Sequence, residues 1–158
     1  MAMASLDQEL ALLLAEWRAA GRRIVFTNGV FDLLHPGHVD LLEGARALGG
    51  ALVVGLNSDL SARALGKGAD RPLLDQTART RVLLALRAVD AVALFDEPTP
   101  LELIQLVRPD VLVKGADYAG REVVGREVVE GYGGRVVLWP LLPGYSTTGL
   151  IRRIRGED

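Results

Sequence analysis

Five short apolar runs divide the chain, and segments with hydrophobic residues at every third or fourth position separate them. The runs are rich in valine and leucine and alternate little with polar residues, which predicts strands buried on both faces. They cover residues 23–27, 51–56, 91–95, 111–113 and 135–139. This alternation predicts one α/β, Rossmann-like domain, in which helices cover both faces of a five-stranded parallel sheet.

The segments between the strands predict helices. Helical spacing covers residues 36–48, 75–87, 99–107, 124–131 and 149–155, and residues 61–65 fit a single helical turn. Either Asp75 or Thr77 can start the helix that continues through Arg87. Thr99, Pro100 and Glu102 have the order of an N-cap, a first-turn proline and a third-position glutamate. We therefore expect one of these helices to begin immediately after Thr99.

A separate helical pattern opens the chain. Ser5 with Gln8 fits a capping box, and leucines then recur at helical spacing up to Gly21. We expect a leading helix within residues 1–22, packed on a nucleotide-binding domain formed by residues 23–158.

Polar clusters follow several of the predicted strands. In a parallel sheet ligands bind at the carboxyl ends of the strands, near the point where the strand order reverses. The clusters cover residues 27–38, 57–59, 114–118 and 146–148. We therefore expect the fold to gather these four segments on one edge of the sheet.

The only two histidines of the chain lie in the segment His35-Pro36-Gly37-His38, between the first strand and its following helix. The first N–H groups of a helix lack internal partners and attract anions, and Gly37 leaves room for a phosphate. The histidines could instead cap the helix or lie on the surface. A metal site would need further ligands, and the chain has no cysteine or third histidine. The preceding buried strand and Asn-Gly turn favour phosphate chemistry.

Three other segments allow both a structural and a functional interpretation. Lys67, in a glycine-flanked loop, is either a surface lysine or a mobile lysine that reaches a polyphosphate. Lys114 and Asp117 follow a strand, where Asp117 either forms a turn or accepts hydrogen bonds from ribose. The hydroxyl cluster at residues 146–148 caps the last helix, and such a helix start is also a second anion site.

Length and composition exclude several classes of protein. The 158 residues, 49% of them hydrophobic, are enough for one domain with a buried core. The absence of cysteine excludes disulfides and cysteine nucleophiles. A net charge of −2 without a basic stripe argues against nucleic acid as a partner. No apolar run approaches about 18 residues and no signal peptide is recognisable, so we expect a cytoplasmic protein that does not bind membranes.

Six separated motifs resemble those of the HxGH nucleotidyltransferases, the cytidylyltransferase-like superfamily. They are TNGVFDLLHPGHVDLL (27–42), VVGLNSD (53–59), KGADRPL (67–73), QTARTRVLLAL (76–86), RPDVLVKGADY (108–118) and GYSTTGLI (144–151). The likeness is closest to the adenylyltransferase domain of the heptose-phosphate enzymes of lipopolysaccharide-precursor synthesis. It extends over residues 26–154, more than four fifths of the chain.

The resemblance implies roles for individual residues. Those expected to act in catalysis are His35, His38 and Lys67. Those expected to bind the nucleotide and its phosphates are Thr27, Asn28, Gly29, Phe31, Gly37, Lys114, Gly115, Asp117, Ser146, Thr147 and Thr148. Candidates for contact with the acceptor substrate are Asp32, Asn57, Asp59, Arg71 and Arg79. No protein metal site is expected.

The same resemblance implies an activity. The expected enzyme joins AMP from ATP to a sugar phosphate, with heptose 1-phosphate as the preferred acceptor, and releases pyrophosphate to give an ADP-sugar. Mg²⁺ is the expected cofactor, held mainly by the nucleotide phosphates, and a homodimer is the expected assembly. One alternative is a cytidylyltransferase that uses CTP with glycerol 3-phosphate or another polyol or amino-alcohol phosphate. Another is a nucleotide-binding module without turnover.

Two features depart from the patterns of these families. The heptose enzymes often carry a sugar-kinase domain on the same chain, and 158 residues leave no room for one, so we expect a single activity. Glycerol-phosphate cytidylyltransferases have an RTEGISTT-like ending, whereas LPGY (142–145) precedes Ser146 here. This ending, with KGADY at 114–118, favours the adenylyl branch.

Overall fold

Five parallel strands form one sheet in the computed structural model, which describes residues 7–157. The strands are β1 (Ile24–Gly29), β2 (Ala51–Asn57), β3 (Ala91–Phe95), β4 (Val111–Gly115) and β5 (Arg135–Trp139). The helices are α1 (Gln8–Ala19), α2 (Pro36–Ala47), α3 (Asp59–Ala64), α4 (Gln76–Leu84), α5 (Leu101–Val107), α6 (Arg126–Gly131) and α7 (Thr147–Arg155), and a 3-10 turn spans Ala116–Tyr118. The predicted α/β, Rossmann-like sheet is confirmed.

Helices cover both faces of the sheet because the central strands are apolar along most of their length. All seven residues of β2 and the first four of β1 are buried. Ile24 and Phe26 face a core that contains side chains of α1, α5 and α6. Val25 and Leu52 face a second core, which contains side chains of α2 and α4.

α1 is the predicted leading helix, but its cap differs from the predicted one. The Asp7 carboxylate accepts a hydrogen bond from the backbone N of Leu10 (2.7 Å), so Asp7 is the N-cap. Ser5 lies outside the described residues. Leu10, Leu14 and Trp17 are buried in the core that covers β1. α1 therefore packs on the sheet, and the division of the chain after residue 22 stays a prediction.

α5 and α6 begin later than predicted. α5 begins at Leu101, with Pro100 at the cap position, because the Thr99 hydroxyl lies 3.5 Å from the Leu101 N and makes only a long contact. α6 begins at Arg126 because Gly125 has φ of 89°, a left-handed conformation outside an α-helix. Sequence patterns locate helix ends only to within about two to four residues.

α3 and α4 follow the predicted pattern with shifted ends. α4 starts after Asp75, whose carboxylate accepts from the Ala78 N (2.8 Å), and it ends earlier than predicted, at Leu84. α3 is a short helix rather than a single turn, because the Ser58 hydroxyl caps it by accepting from the Ser61 N (3.2 Å). Within residues 7–157, no helix is long and apolar enough to cross a membrane.

The strand order places the switch point of the sheet beside β1. From β1 the chain runs outward through β2 to β3, and then crosses to β4 and β5 on the other side. β1 pairs with β2 from Ile24↔Ala51 onward and with β4 at Val25↔Val111. The connections that leave β1 and β4 therefore diverge, and a cleft opens at the carboxyl ends of these strands.

Candidate active site

A cleft of about 860 Å³ lies at the switch point. The predicted site residues that line it are Thr27, Asn28, Gly29, Phe31, Asp32, His35, Gly37, His38, Asn57, Lys67, Arg71, Lys114, Gly115, Asp117, Ser146, Thr147 and Thr148. Asp59 and Arg79 do not line it. The rule for parallel sheets thus brings all four polar segments to one place, although they are far apart in the chain.

His35 is the N-cap of α2. Its backbone is extended, and its Nδ1 accepts a hydrogen bond from the backbone N of Gly37 (3.0 Å). A neutral imidazole that accepts at Nδ1 carries its proton on Nε2, so His35 presents Nε2–H as a donor. Burial lowers the pKa of His35, which favours this neutral form.

His38 stacks on His35 one turn into the helix. The ring centroids are 3.8 Å apart with 25° between the ring planes, and Phe31 packs on the other side of His38 at 5.3 Å. Burial, together with the neighbouring His35, lowers the pKa of His38 to about 4. Both imidazoles are therefore neutral near pH 7. They act as hydrogen-bonding groups beside the partial positive charge of the α2 N-terminus.

Gly37 and Phe31 have local structural roles in this turn. A Cβ on Gly37 would lie 2.8 Å from Cε1 of His35, so the glycine makes room for the imidazole that caps the helix. Phe31 has φ of 49°, an uncommon left-handed conformation for a residue with a side chain. Its buried ring packs over Gly29, where a Cβ would lie 3.0 Å away. Packing thus holds the turn in a strained geometry, as is frequent in binding sites.

The N-terminus of α7 lies across the cleft from α2. Ser146 caps α7 by accepting from the backbone N of Gly149 (2.9 Å), and Thr147 Oγ1 lies 3.5 Å from the Leu33 carbonyl. The Tyr145 ring lies nearly parallel to His35, with centroids 6.4 Å apart. These contacts direct two helix N-termini at one cleft, which favours a ligand with several negative charges.

Lys114 brings a cation to the floor of the cleft. It is 6% exposed at the end of β4, and its Nζ lies 5.1 Å from the ring centroid of Tyr118. Burial lowers the pKa of Lys114 to about 8, and the nearby Asp117 opposes part of that shift. The Thr27 hydroxyl donates to the Val113 carbonyl (2.9 Å), which leaves its oxygen able only to accept a hydrogen bond from a ligand.

The loop of residues 65–75, here the Lys67 loop, forms the opposite border. Lys67 is exposed. The buried Asp32 carboxylate accepts hydrogen bonds from the backbone N atoms of Leu73 (2.8 Å) and Leu74 (2.9 Å). Asp32 therefore fastens the far end of this loop to the turn after β1.

The acceptor roles expected of Arg79 and Asp59 do not fit their positions. Arg79 is 1% exposed and donates to the carbonyls of Leu74 (2.9 Å), Val30 (2.9 Å) and Asn57 (2.8 Å). Its remaining nitrogen pairs with Asp59 (2.8 Å). Arg79 therefore holds together three segments whose neighbours line the cleft. A sequence motif identifies such an arginine without showing whether it faces the ligand.

Several cleft residues were not predicted. They are Val30, Leu41, Leu65, Pro98, Thr99, Pro100, Tyr118, Val124, Trp139, Pro140, Leu141, Leu142 and Tyr145. Trp139 ends β5, donates to the Asp40 carboxylate (3.0 Å), and packs against Gly44, where a Cβ would lie 2.2 Å from its ring. Its position at a strand end was an available signal. The apolar residues resemble core residues in sequence, so nothing in their pattern marks them.

Unpartnered polar atoms concentrate at the cleft. Among residues 7–157, four buried side-chain atoms have no hydrogen-bond partner: Asn28 Oδ1, His38 Nδ1, Arg71 Nε and Thr80 Oγ1. All but Thr80 belong to residues that line the cleft. Buried polar groups nearly always have partners. Arg71 Nε faces the buried Asp32 carboxylate at 3.5 Å, and His38 interacts with the Leu33 backbone, so Asn28 Oδ1 is the atom of the three that a bound ligand could partner.

The fold and the cleft define a nucleotide-binding α/β protein, because two converging helix N-termini suit a chain of phosphates. Comparison with known sequences identifies the family: the chain belongs to the cytidylyltransferase-like family, which it matches over residues 26–153. It is a nucleotidyltransferase, as the motifs predicted.

Proteins named bifunctional protein HldE are similar to this chain. The HldE of Bradyrhizobium sp. (strain ORS 278) is 58% identical over 152 residues, which cover 96% of this chain and 31% of that protein. The HldE of Rhodopseudomonas palustris (strain BisA53) is 60% identical over 145 residues, which cover 92% of this chain and 29% of that protein. The chain thus spans less than a third of the length of these relatives.

Two solved structures are similar to this fold. The lipopolysaccharide core biosynthesis protein of Thermoplasma volcanium GSS1 superposes with a TM-score of 0.64 at 30% identity, covering 77% of this chain and 98% of that chain. The pantoate-beta-alanine ligase of Francisella tularensis superposes with a TM-score of 0.60 at 17% identity, covering 94% and 70%. The second likeness concerns the fold alone.

Proposed function

We propose that this protein is an adenylyltransferase that joins AMP from ATP to heptose 1-phosphate and releases pyrophosphate, giving an ADP-sugar. The observation that carries the nucleotidyl transfer is the convergence of the stacked, neutral His35 and His38 and the N-terminus of α7 on one cleft. The choice of heptose is supported by the motifs at 114–118 and 144–148, and by the similarity to proteins named HldE and to a lipopolysaccharide core biosynthesis protein.

The proposed reaction needs no proton abstraction. An oxygen of the acceptor phosphate attacks the α-phosphorus of ATP in line. The new P–O bond forms while the bond from the α-phosphorus to the bridging oxygen of the β-phosphate breaks, and pyrophosphate leaves. Because the attacking oxygen is already anionic near neutral pH, catalysis consists of positioning the substrates and stabilising the negative charge that moves to the leaving group.

The two histidines suit charge stabilisation. His35 Nε2–H is a donor held in place by the Nδ1 contact with Gly37, and His38 is oriented by the stack between Phe31 and His35. Fixed neutral donors need little reorganisation as charge develops, which makes them effective for an oxyanion. Lys67 supplies a mobile positive charge from its exposed loop.

The remaining candidates divide between the two substrates. The nucleotide is proposed to lie along β1 and β4 and across the α7 N-terminus, where its contacts are Thr27, Asn28, Gly29, Phe31, Gly37, Lys114, Gly115, Asp117, Ser146, Thr147 and Thr148. The acceptor is proposed to lie on the side of Asn57 and Arg71, beneath the Lys67 loop. This division places both substrates in one cleft, as in-line attack requires.

Mg²⁺ is proposed as the cofactor, bound mainly by the nucleotide. Within residues 7–157, no group of three or more His, Cys, Asp or Glu side chains could hold a metal ion. Mg²⁺ would take most of its ligands from phosphates and water, as is usual for this ion. When bound, it neutralises charge on the phosphates.

We also propose that the protein is a cytoplasmic homodimer, because it resembles the heptose enzymes.

A pyrophosphate-release screen tests the function. Four nucleoside triphosphates are crossed with a panel of sugar and polyol phosphates, each with Mg²⁺. ATP with heptose 1-phosphate is expected to give the highest turnover. A higher rate with CTP and glycerol 3-phosphate would move the protein to the cytidylyl branch. Nucleotide binding without pyrophosphate release from any pair would identify a non-catalytic module.

A further inference from the structure

Arg71 lines the cleft on the side where the acceptor substrate is proposed to bind, and its guanidinium keeps donors that have no partner in the part of the chain that the structure describes. Only 12% of its side-chain surface is exposed, and its Nε is buried without a hydrogen-bond partner among residues 7–157. Its nearest carboxylate, Asp32, lies 3.5 Å from that Nε, which pairs the charges but is too long for a good hydrogen bond. Asp32 therefore occupies the Nε side of the guanidinium. The terminal nitrogens make no hydrogen bond to another of residues 7–157, so they are the donors that remain for a ligand.

Asp32 orients this arginine from beneath and cannot itself reach a ligand. Its side chain is 0% exposed. Both carboxylate oxygens accept backbone hydrogen bonds from the Lys67 loop, at Leu73 and Leu74. The Asp32 carboxylate thus holds the backbone of the loop and also pairs with Nε of Arg71, on the buried side of the guanidinium.

The glycine after Lys67 completes the support for Arg71. Gly68 has φ of 144°, and a Cβ there would lie 3.2 Å from Cγ of Arg71. The Arg71 stem therefore lies against the backbone of the loop on one side, while Asp32 lies on the other. Arg71 lines the cleft, so a ligand there can meet the part of the guanidinium that these two contacts leave free.

We propose that Arg71 binds the phosphate of the acceptor substrate and that Asp32 is its positioning residue. This inference rests on the proposed function, and it replaces direct contact between Asp32 and the acceptor. The histidines and the two helix N-termini serve the nucleotide phosphates, so the acceptor phosphate needs a separate cation. Arginine suits it because the planar fork can hold two phosphate oxygens at once and leave the third to attack.

The test separates the two substrates kinetically. Arg71→Ala is expected to raise the KM for heptose 1-phosphate about 10- to 100-fold, the range for a hydrogen bond to a charged group, with the Kd of a non-hydrolysable ATP analogue within about twofold of wild type. Arg71→Lys keeps the positive charge but loses the planar guanidinium, and it is expected to raise the same KM about tenfold. This variant keeps the test valid if Arg71→Ala does not fold. Arg81→Ala, an exposed arginine of α4 outside the cleft, is the matched control for loss of one charge.

Asp32 is tested through Arg71. Asp32→Asn is expected to raise the KM for heptose 1-phosphate, and the double variant Asp32→Asn/Arg71→Ala is expected to have the KM of Arg71→Ala, because the orienting effect of Asp32 on the acceptor acts through Arg71. Asp32→Asn also weakens the contacts of Asp32 with the Lys67 loop whether or not Arg71 is present, so that effect is followed separately as tryptic cleavage after Lys67. Multiplying KM effects in the double variant would overturn the positioning role. If the KM for heptose 1-phosphate is unchanged in both Arg71 variants, or if only the nucleotide Kd is weakened, Arg71 does not bind the acceptor phosphate. Turnover of the wild-type protein in the same assay would still support the proposed function. Wild-type protein that neither binds nor converts heptose 1-phosphate would remove the proposed acceptor and this inference together.

Discussion

The two borders of the cleft are built in opposite ways. The histidine corner, residues 27–38, starts inside a buried strand and is held by ring stacking, a helix cap and a buried carboxylate. The Lys67 loop is exposed from Leu65 to Asp70, and its backbone hydrogen bonds to Asp32 come only at its far end. Groups that stabilise a transition state work best when fixed in advance, whereas a border that admits substrates must be able to move.

The largest effect is expected at the histidine corner. Loss of one fixed donor to a developing oxyanion should lower turnover roughly 10²–10³-fold, so His38→Ala is expected to lose that much activity. Because the N-cap of α2 is His35 and not His38, the melting temperature of His38→Ala should fall by only a few degrees. Steady-state kinetics and thermal unfolding of the same preparation measure both.

His35 offers a matched pair of variants, since it also caps α2. His35→Ala should lose activity and about 0.5–2 kcal/mol of stability, whereas His35→Ser keeps a capping oxygen and should lose only the activity. The double His35→Ala/His38→Ala variant should lose less than the product of the singles, because both serve one phosphate cluster. Near-normal turnover in His38→Ala with a large fall in melting temperature would show that the corner is structural.

A second effect concerns the buried cation on the rigid side. Burial lowers the pKa of Lys114 to about 8, so the free protein loses this positive charge as pH rises through 8. Nucleotide binding should therefore weaken up to about tenfold between pH 7 and pH 9, where the charged fraction falls by that factor. Titration calorimetry with an ATP analogue measures the affinity. Lys114→Met should bind more weakly at pH 7 and show a flatter profile, and an equally steep profile in that variant would assign the dependence to other groups.

Smaller effects are expected at the N-terminus of α7. Thr147→Val and Ser146→Ala each remove one hydroxyl, a loss of about 1 kcal/mol or roughly fivefold in nucleotide affinity, with a smaller drop in turnover. Ser146→Ala should also lower the melting temperature, because Ser146 caps α7. Thr77→Ala, on an exposed part of α4, is the control. A drop in turnover as large as that of His38→Ala would mean that α7 acts on the transition state.

The sequence alone predicts most of the sheet and the segments that meet at the cleft. The strands at 91–95 and 135–139 have the predicted ends, because a short, mainly apolar run bounded by turn residues has few alternatives. The polar segments meet because parallel strands end at one edge, a property of the topology and not of any one residue. The position of the HPGH segment in the cleft could therefore be predicted from the sequence, but the contacts of its side chains could not.

Side-chain direction was not accessible in the same way. Arg79 and Asp59 lie in motifs beside cleft residues, yet Arg79 points into the protein and satisfies three carbonyls from separate segments. Such contacts depend on long-range packing that no local pattern encodes. The pKa of His38 likewise follows from burial and from the stacked His35, and both exist only in the folded chain.

The smallest effect is expected at the surface tether of the Lys67 loop. Asp70 forms an ion pair with Arg155 of α7, and both side chains are about half exposed. Exposed pairs contribute about 0.2–1 kcal/mol, so Arg155→Ala should speed tryptic cleavage after Lys67 by no more than about fivefold. Arg153→Ala on the same helix is the control.

Nucleotide should slow the same cleavage in wild type and in both variants, because an ordered loop resists proteolysis. Mass spectrometry can follow this site alone, since the Arg71-Pro72 bond resists trypsin. Equal cleavage with and without an ATP analogue would mean that the loop does not close over the nucleotide. The difference between the two borders would then lie in exposure, with no difference in motion.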